Sequence, residues 1–371
     1  MAEPIDGTDI GMSTSADSPE RPKTAYVTGG ASGIGRALTQ MLVGASYRVF
    51  IADLDIHSAS QLADMLNASY PFADPRVHCA KVDVASWESQ LDGFKQALAF
   101  FNGRLDVAAP VAGIAERQWL KEEGEMLALG LEDEFGEGFM RPDLRTLEVD
   151  LQGVLWTVGL AVQQMRRQEM DGEGFRGRIA CVSSTCGLYS IPALPVYTAA
   201  KQGVVGFVRS YGKLLPGKYE ILMNAVCPNI VRTNIEGEEY YAAAERKGLI
   251  VPMQNVLDCF DHVLSSKVSG EVFEVGPDGE GGSEEKWVVR EGLEYLDKKT
   301  ERSVTLLEEE KVRRVEVTDE VDEVRNEVEK LERAEMKGLD GEAAQLIAGE
   351  QVEDRFVQDA VEDGRKRRRV A

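Results

Sequence analysis

Tyr197 stands four residues before Lys201 in VYTAAKQGVVGF, and thirteen residues after Ser184, which closes the run RIACVSS. A four-residue spacing sets phenol and ammonium on one face of a helix. A free phenol, with a pKa of about 10, is a poor base at neutral pH, and lowering it by three units takes roughly 4 kcal/mol of differential stabilisation. A close cation in a partly dry cleft supplies much of that. With the Ser184 hydroxyl holding a substrate oxygen and Tyr197 giving or taking its proton, the trio suits hydride transfer between an alcohol and a ketone. Each residue alone reads equally well as an ordinary helix surface or strand end.

What sets the trio apart is the segment that precedes it. TGGASGIG, Thr28 to Gly35, follows an apolar β-branched run and opens an amphipathic helix. Small residues in this loop let backbone amides and the positive end of a helix dipole approach a pyrophosphate, which a side chain at Gly29, Gly33 or Gly35 would obstruct; Ser32 and Ile34 complete the candidate cofactor loop. Eighteen residues past Gly35, the run RVFIAD ends in Asp53, where a carboxylate can accept from both hydroxyls of an adenosine ribose. The same charge repels a 2′-phosphate, and Leu54 rather than Arg follows it, so NAD is expected rather than NADP. Asp83 and Val84 end the next strand candidate. They fit an adenine contact, and Asp83 fits equally a turn-forming residue.

The elements that must position these groups are legible as alternation. TAYVTG, RVFIAD, RVHCAKVDV, LDVAAPVAGI, RIACVSS, ILMNAVCP and EVFEVGP are strand candidates separated by helix-length amphipathic stretches. Such alternation predicts an α/β fold with a doubly wound parallel seven-stranded sheet of the Rossmann type over residues 24–286. Residues 1–23 read as a polar, acidic leader without the apolar run of a secretory signal. Residues 287–371 read as a charged extension, helical or disordered in part. Within it Val321, Val324, Val328 and Leu331 follow a three-four spacing, read as a solvated helix, and Gly364 to Val370 form a basic run that is either a nuclear-import address, an anionic contact or simply a basic end.

Taken together, these motifs resemble the short-chain dehydrogenase/reductase family, from about Thr24 to Pro277. TGGASGIG matches that family's TGxxxGxG, YTAAK its YxxxK, and Ser184 its serine. VFIADLD, VDLQGVLWT and CPNIVRTNI look most like fungal proteins similar to NAD-dependent 15-hydroxyprostaglandin dehydrogenase. The resemblance implies that Lys201 also meets the nicotinamide ribose, that Val231 and Thr233 meet the carboxamide, and that Ala112 and Gly113 line the cofactor through backbone. It also implies a homodimer built on the helices that begin near Leu147 and Tyr197. Three departures stand out. PVAG replaces NNAG, with Pro110 and Val111 in place of two asparagines; Asn229 replaces a glycine after Pro228; and Asp150 replaces the asparagine of VNLxG that helps hold a proton-relaying water. A carboxylate beside Lys201 raises the lysine pKa and offsets part of its field at Tyr197, which predicts an alkaline-shifted rate profile.

Composition narrows the remaining classes. The 371 residues carry 42 Lys+Arg against 64 Asp+Glu, a formal net charge of -22 that repels nucleic acid and anionic membranes. The scattered cysteines, five in number, form no CxxC pair, which suits a reducing, cytoplasmic setting. The three histidines lie far apart, so no metal site is expected. An NAD-dependent oxidoreductase acting on a small secondary alcohol or ketone is the leading reading, with Ser184, Tyr197, Lys201 and Asp150 as its catalytic set. The competing one is an NAD-binding protein that has lost turnover and uses its acidic tail to hold a partner.

Overall fold

The computed structural model describes residues 21–70, 74–120, 141–277 and 286–307. The chain forms two compact units, Met1–Gly292 and Leu293–Ala371. Within the second, residues 298–307 are helical. The leader up to residue 20, the amphipathic stretch at 321–331 and the basic run at 364–370 lie outside the described residues.

The first unit alternates as its sequence predicts. In chain order, β1 (Thr24–Thr28), α1 (Gly33–Gly44), β2 (Arg48–Asp53), α2 (Ile56–Ser69), β3 (Val77–Lys81), α3 (Trp87–Phe100) and β4 (Val107–Pro110) form its first half. A helical turn, Arg145–Leu147, and a π-helical turn, Glu148–Gln152, then lead into α4 (Gly153–Met165). The second half comprises β5 (Gly177–Val182), α5 (Pro195–Tyr219), β6 (Ile221–Pro228), α6 (Glu238–Arg246), α7 (Met253–Ser265), β7 (Val272–Val275) and β8 (Trp287–Val289). Strand order is β3-β2-β1-β4-β5-β6-β7-β8, parallel except for β8, which runs antiparallel to β7.

The sheet therefore carries eight strands rather than seven. Its added edge is a three-residue WVV run that begins at Trp287, where the charged extension was expected to start. Those three residues are too few to register against the charged sequence around them, and their partner β7 supplies the hydrogen bonds that hold them. Parallel strands buried on both faces read as continuous apolar runs. Successive residues of β1 and β2 divide between two cores: Tyr26 and Phe50 pack with Phe94, Val158 and Val204 on the face covered by α3, α4 and α5. Val27 and Ile51 pack with Leu38, Leu62 and Phe260 under α1, α2 and α7.

Two of the substitutions noted in the sequence are absorbed locally. Pro110 pairs with Thr28 at the end of β4, and the registered pairs that join β4 to β5 stop at Ala108–Ile179, where a strand without the Pro110 N–H must end its ladder. The Thr28 hydroxyl accepts from Val111 N–H at 3.1 Å and Ala112 N–H at 3.2 Å, and so ties β1 to the end of β4. Asn229 needs no left-handed conformation, since the positive-φ non-glycine residues are Ser46, Asn102 and Glu220. Its N–H donates to the Val275 carbonyl and its side-chain oxygen accepts from Ile230 N–H, both at 2.9 Å.

Candidate active site

The loops that follow β1, β4, β5 and β6 emerge at the carboxyl edge of the sheet, where doubly wound folds keep their ligand crevice. They line a cleft of about 470 Å³. Gly29, Ser32, Gly33, Ile34 and Gly35 form one side with Ala112 and Gly113, while Val231 and Thr233 close over them from the β6 loop. The other side carries Ser184, Tyr197 and Lys201 together with Glu116, Ile191, Leu194, Ile235, Glu236 and Tyr240.

The glycine loop is tight enough to explain its composition. A Cβ on Gly35 would stand 2.1 Å from the Gly29 carbonyl oxygen, and one on Gly29, whose φ is +64°, would stand 2.7 Å from the Ala112 Cα. No side chain fits at either position without moving backbone. Ser32, the N-cap of α1, makes no side-chain cap bond, so the first amides of the helix face the cleft unscreened. A backbone cradle at a helix N-terminus fits a dinucleotide pyrophosphate.

Asp53 ends β2 beside this cradle. Its carboxylate accepts from Ala31 N–H and Asp55 N–H, each at 2.9 Å, which fastens the glycine loop to β2. Asp83 caps its own turn by accepting from Ala85 N–H at 2.9 Å. Val84 is buried against Gly153, where a Cβ would meet the Val84 carbonyl oxygen at 3.0 Å. Asp53, Asp83 and Val84 stand outside the set of residues that line the cleft.

The chemistry-bearing side chains converge behind the cradle. Ser184 leaves β5 in extended conformation and caps a short 3₁₀ turn, its hydroxyl accepting from Cys186 N–H at 3.2 Å. Pro195 starts α5, so Tyr197 and Lys201 lie one turn apart within its first seven residues. The Lys201 ammonium sits 5.3 Å from the centre of the Tyr197 ring. The β5 and α5 segments are joined by the Ser183 hydroxyl, which donates to the Lys201 carbonyl at 2.9 Å.

Asp150 occupies the π-helical turn, an irregularity that recurs at functional sites because it re-aims a side chain. It is fully buried, 2.9 Å from the Lys201 ammonium, and accepts from Ile114 N–H at 2.8 Å. Gly113 leaves the room for this pair: a Cβ there would stand 3.0 Å from the Asp150 oxygen and 3.4 Å from Lys201 Nζ. Burial pushes the Asp150 carboxyl above the usual range against the pull of Lys201. Burial pulls Lys201 down, but Asp150 and the Tyr197 phenol outweigh it and hold its pKa above the ordinary lysine value. Burial raises the Tyr197 phenol; Lys201 opposes this, Asp150 adds to it, and the neighbouring Ser184 hydroxyl favours the phenolate.

One residue of the site went unread in the sequence. Glu116 accepts from the backbone N–H of Val196 at 3.3 Å and of Tyr197 at 2.5 Å. Nothing in local spacing points to a bond that spans 81 residues.

The profile of the short chain dehydrogenase family matches residues 23–243. The chain belongs to this family. Among curated relatives, the short-chain dehydrogenase/reductase prx4 of Penicillium roqueforti is 31% identical over 213 residues, 57% of this chain and 56% of that protein. The chain thus spans little more than half the length of that relative. The 15-hydroxyprostaglandin dehydrogenase (NAD(+)) of Homo sapiens is 31% identical over 225 residues, 58% of this chain and 73% of that protein. In fold, the chain resembles a Brucella melitensis 3-ketoacyl-(acyl-carrier-protein) reductase solved in complex with NADH. The TM-score is 0.55 at 18% identity, over 68% of this chain and 96% of that one.

Proposed function

We propose that the chain is an NAD-dependent oxidoreductase that interconverts a secondary alcohol and a ketone. The observation that carries this reading is the convergence of Ser184, Tyr197 and Lys201 in one cleft with a glycine cradle. A nicotinamide dinucleotide held on Gly29, Ser32, Gly33, Ile34, Gly35, Ala112, Gly113, Val231 and Thr233 would supply or take the hydride. Tyr197 moves the proton at the substrate oxygen, Ser184 holds that oxygen by hydrogen bond, and Lys201 lowers the cost of the phenolate. Asp150 keeps Lys201 in place and offsets part of its charge. Asp53, at the end of β2, favours a ribose with free hydroxyls over a 2′-phosphate, and the name of the human relative, with its NAD(+), supports the same preference. Asp83 and Val84 belong to the adenine end of this reading.

The Asp150–Lys201 pair supports a second reading, a protein that binds NAD but turns over slowly or not at all. Fluorescence titration with NADH and NADPH, followed by a secondary-alcohol screen with Tyr197→Phe as control, separates the two. Saturable binding that favours NADH, with turnover lost in Tyr197→Phe and affinity retained, upholds the enzyme. Binding without turnover across the screen upholds the second reading. Absence of binding from the folded protein removes both.

Homodimerisation through α4 and α5 belongs to the same proposal. Leu155 and Phe207 on these helices, and Leu151 in the turn ahead of α4, are only partly buried, and a monomeric mass at micromolar concentration would refute it. A cytoplasmic setting accords with free thiols at Cys79, Cys181, Cys186, Cys227 and Cys259.

A further inference from the structure

Glu116 has no part in the proton chemistry above, yet both of its carboxylate oxygens are engaged beside it. The N–H groups of Val196 and Tyr197 are the second and third of α5, the donors that an N-cap side chain ordinarily meets. The N-cap itself is Leu194, which makes no side-chain cap bond, and Pro195 brings no N–H. Glu116 therefore performs the capping from the loop behind β4.

A carboxylate held through both oxygens does not swing out into solvent. Its negative charge is a fixed feature of the cleft, and the positive end of the α5 dipole, about half an elementary charge, offsets it only in part. Glu236 lines the same cleft. Of the described residues that line the cleft, Lys201 is the one basic side chain, and it is committed to Asp150. Near the cleft, Arg232 is paired with Glu238 and Glu245, and Arg117 with Asp143. The cleft is otherwise lined by apolar or aromatic side chains such as Ile191, Leu194, Ile235 and Tyr240 and by uncharged polar ones such as Ser184, Thr185 and Asn234.

We propose that Glu116 determines the charge specificity of this site: it admits secondary alcohols and ketones that are neutral or cationic around the reacting carbon and rejects carboxylates. A substrate carboxylate would have to shed water beside a like charge that cannot move aside, among described lining residues that offer it no unpaired cation. This inference rests on the reading of the cleft as an alcohol–ketone site.

The test uses the full chain, NADH and three ketones of similar shape: 4′-methylacetophenone, 4-acetylbenzoate and 4′-(trimethylammonio)acetophenone. At low ionic strength the neutral and cationic ketones are expected to show kcat/KM values at least about tenfold above that of the carboxylate. Glu116→Gln keeps one oxygen acceptor for the α5 amides and drops the charge, so it brings that ratio towards one. The ratio is internal to each variant, and a general loss of Tyr197 alignment lowers all three rates without moving it. Equal or better reduction of 4-acetylbenzoate by the unaltered protein overturns the proposal. So does a ratio that Glu116→Gln leaves unmoved.

If none of the three is reduced, the alcohol–ketone reading fails for them, and calorimetric titration of the same ketones into the protein decides the charge preference separately. Weaker binding of 4-acetylbenzoate that Glu116→Gln relieves upholds the proposal. Equal or tighter binding of the carboxylate, or no binding of any of the three, overturns it.

Discussion

Asp150 bears on the electrostatics of Tyr197 twice, directly through its charge and again through its pairing with Lys201. Its charge raises the pKa of both neighbours, so on the proposed mechanism the phenolate needed for oxidation gathers only as pH rises. Asp150→Asn removes that charge, and the expected outcome is an oxidation-rate profile displaced towards neutral pH. Initial rates from pH 6 to 10 check it, and an unchanged profile refutes it. Asp53 permits a second prediction. Asp53→Asn retains an acceptor for Ala31 N–H but loses the charge that repels a phosphate, so the proposed preference for NADH over NADPH should narrow by about tenfold, read by fluorescence titration. The candidate site was legible at this scale where it rests on spacing: Ser184, Tyr197 and Lys201 sit thirteen and four residues apart and meet in one cleft. Glu116 was not, because its partners are backbone amides far along the chain, and backbone amides leave no trace in residue type.

Elements place these residues through a few tight joints. The glycine joint between β1 and α1 has no slack, and Gly35→Ala should abolish dinucleotide binding while leaving a folded sheet, as titration and circular dichroism would show together. At the opposite edge, the amino ends of β1 and β4 are joined by Asp106. Its carboxylate accepts from Thr24 N–H at 2.9 Å and pairs with Arg21 and Arg104. Burial raises its pKa, but these arginine and backbone bonds prevail and hold it below the ordinary carboxylate range. A depressed folded pKa contributes stability that is present above the unfolded value and lost as pH falls through the folded one. Asp106→Ala should cost about 2 to 3 kcal/mol at neutral pH, measured by urea denaturation, and less in acid. Seven of the eight strands could be read from apolar runs. The eighth could not, because three residues carry too little pattern, and β8 depends on β7 for its existence.

At the scale of the whole molecule, the two cores on either face of the sheet leave one buried ion pair between α5 and the turn ahead of α4. Removing one partner of a buried pair strands the other, at a cost of about 3 to 5 kcal/mol, whereas removing both is far milder. Lys201→Met alone should therefore lower the melting temperature sharply, and Asp150→Asn added to it should recover most of the loss. Additive losses in thermal unfolding would refute the coupling. The two-layered wrapping of the sheet follows from alternation that any strand-helix reading detects. The pair does not follow from alternation: the family resemblance put Asp150 beside Lys201, and without it a buried aspartate looks in sequence like any other.

That pair also alters what descent can record. A lineage that ceased to use Lys201 for chemistry would still be held to it, because losing the ammonium alone leaves the Asp150 carboxylate stranded in the interior. Folding stands guard over the lysine regardless of selection for turnover, so its persistence among descendants would carry no news about activity. Ser184 and Tyr197 have no comparable hostage in the core, and disuse would be written first at those two positions.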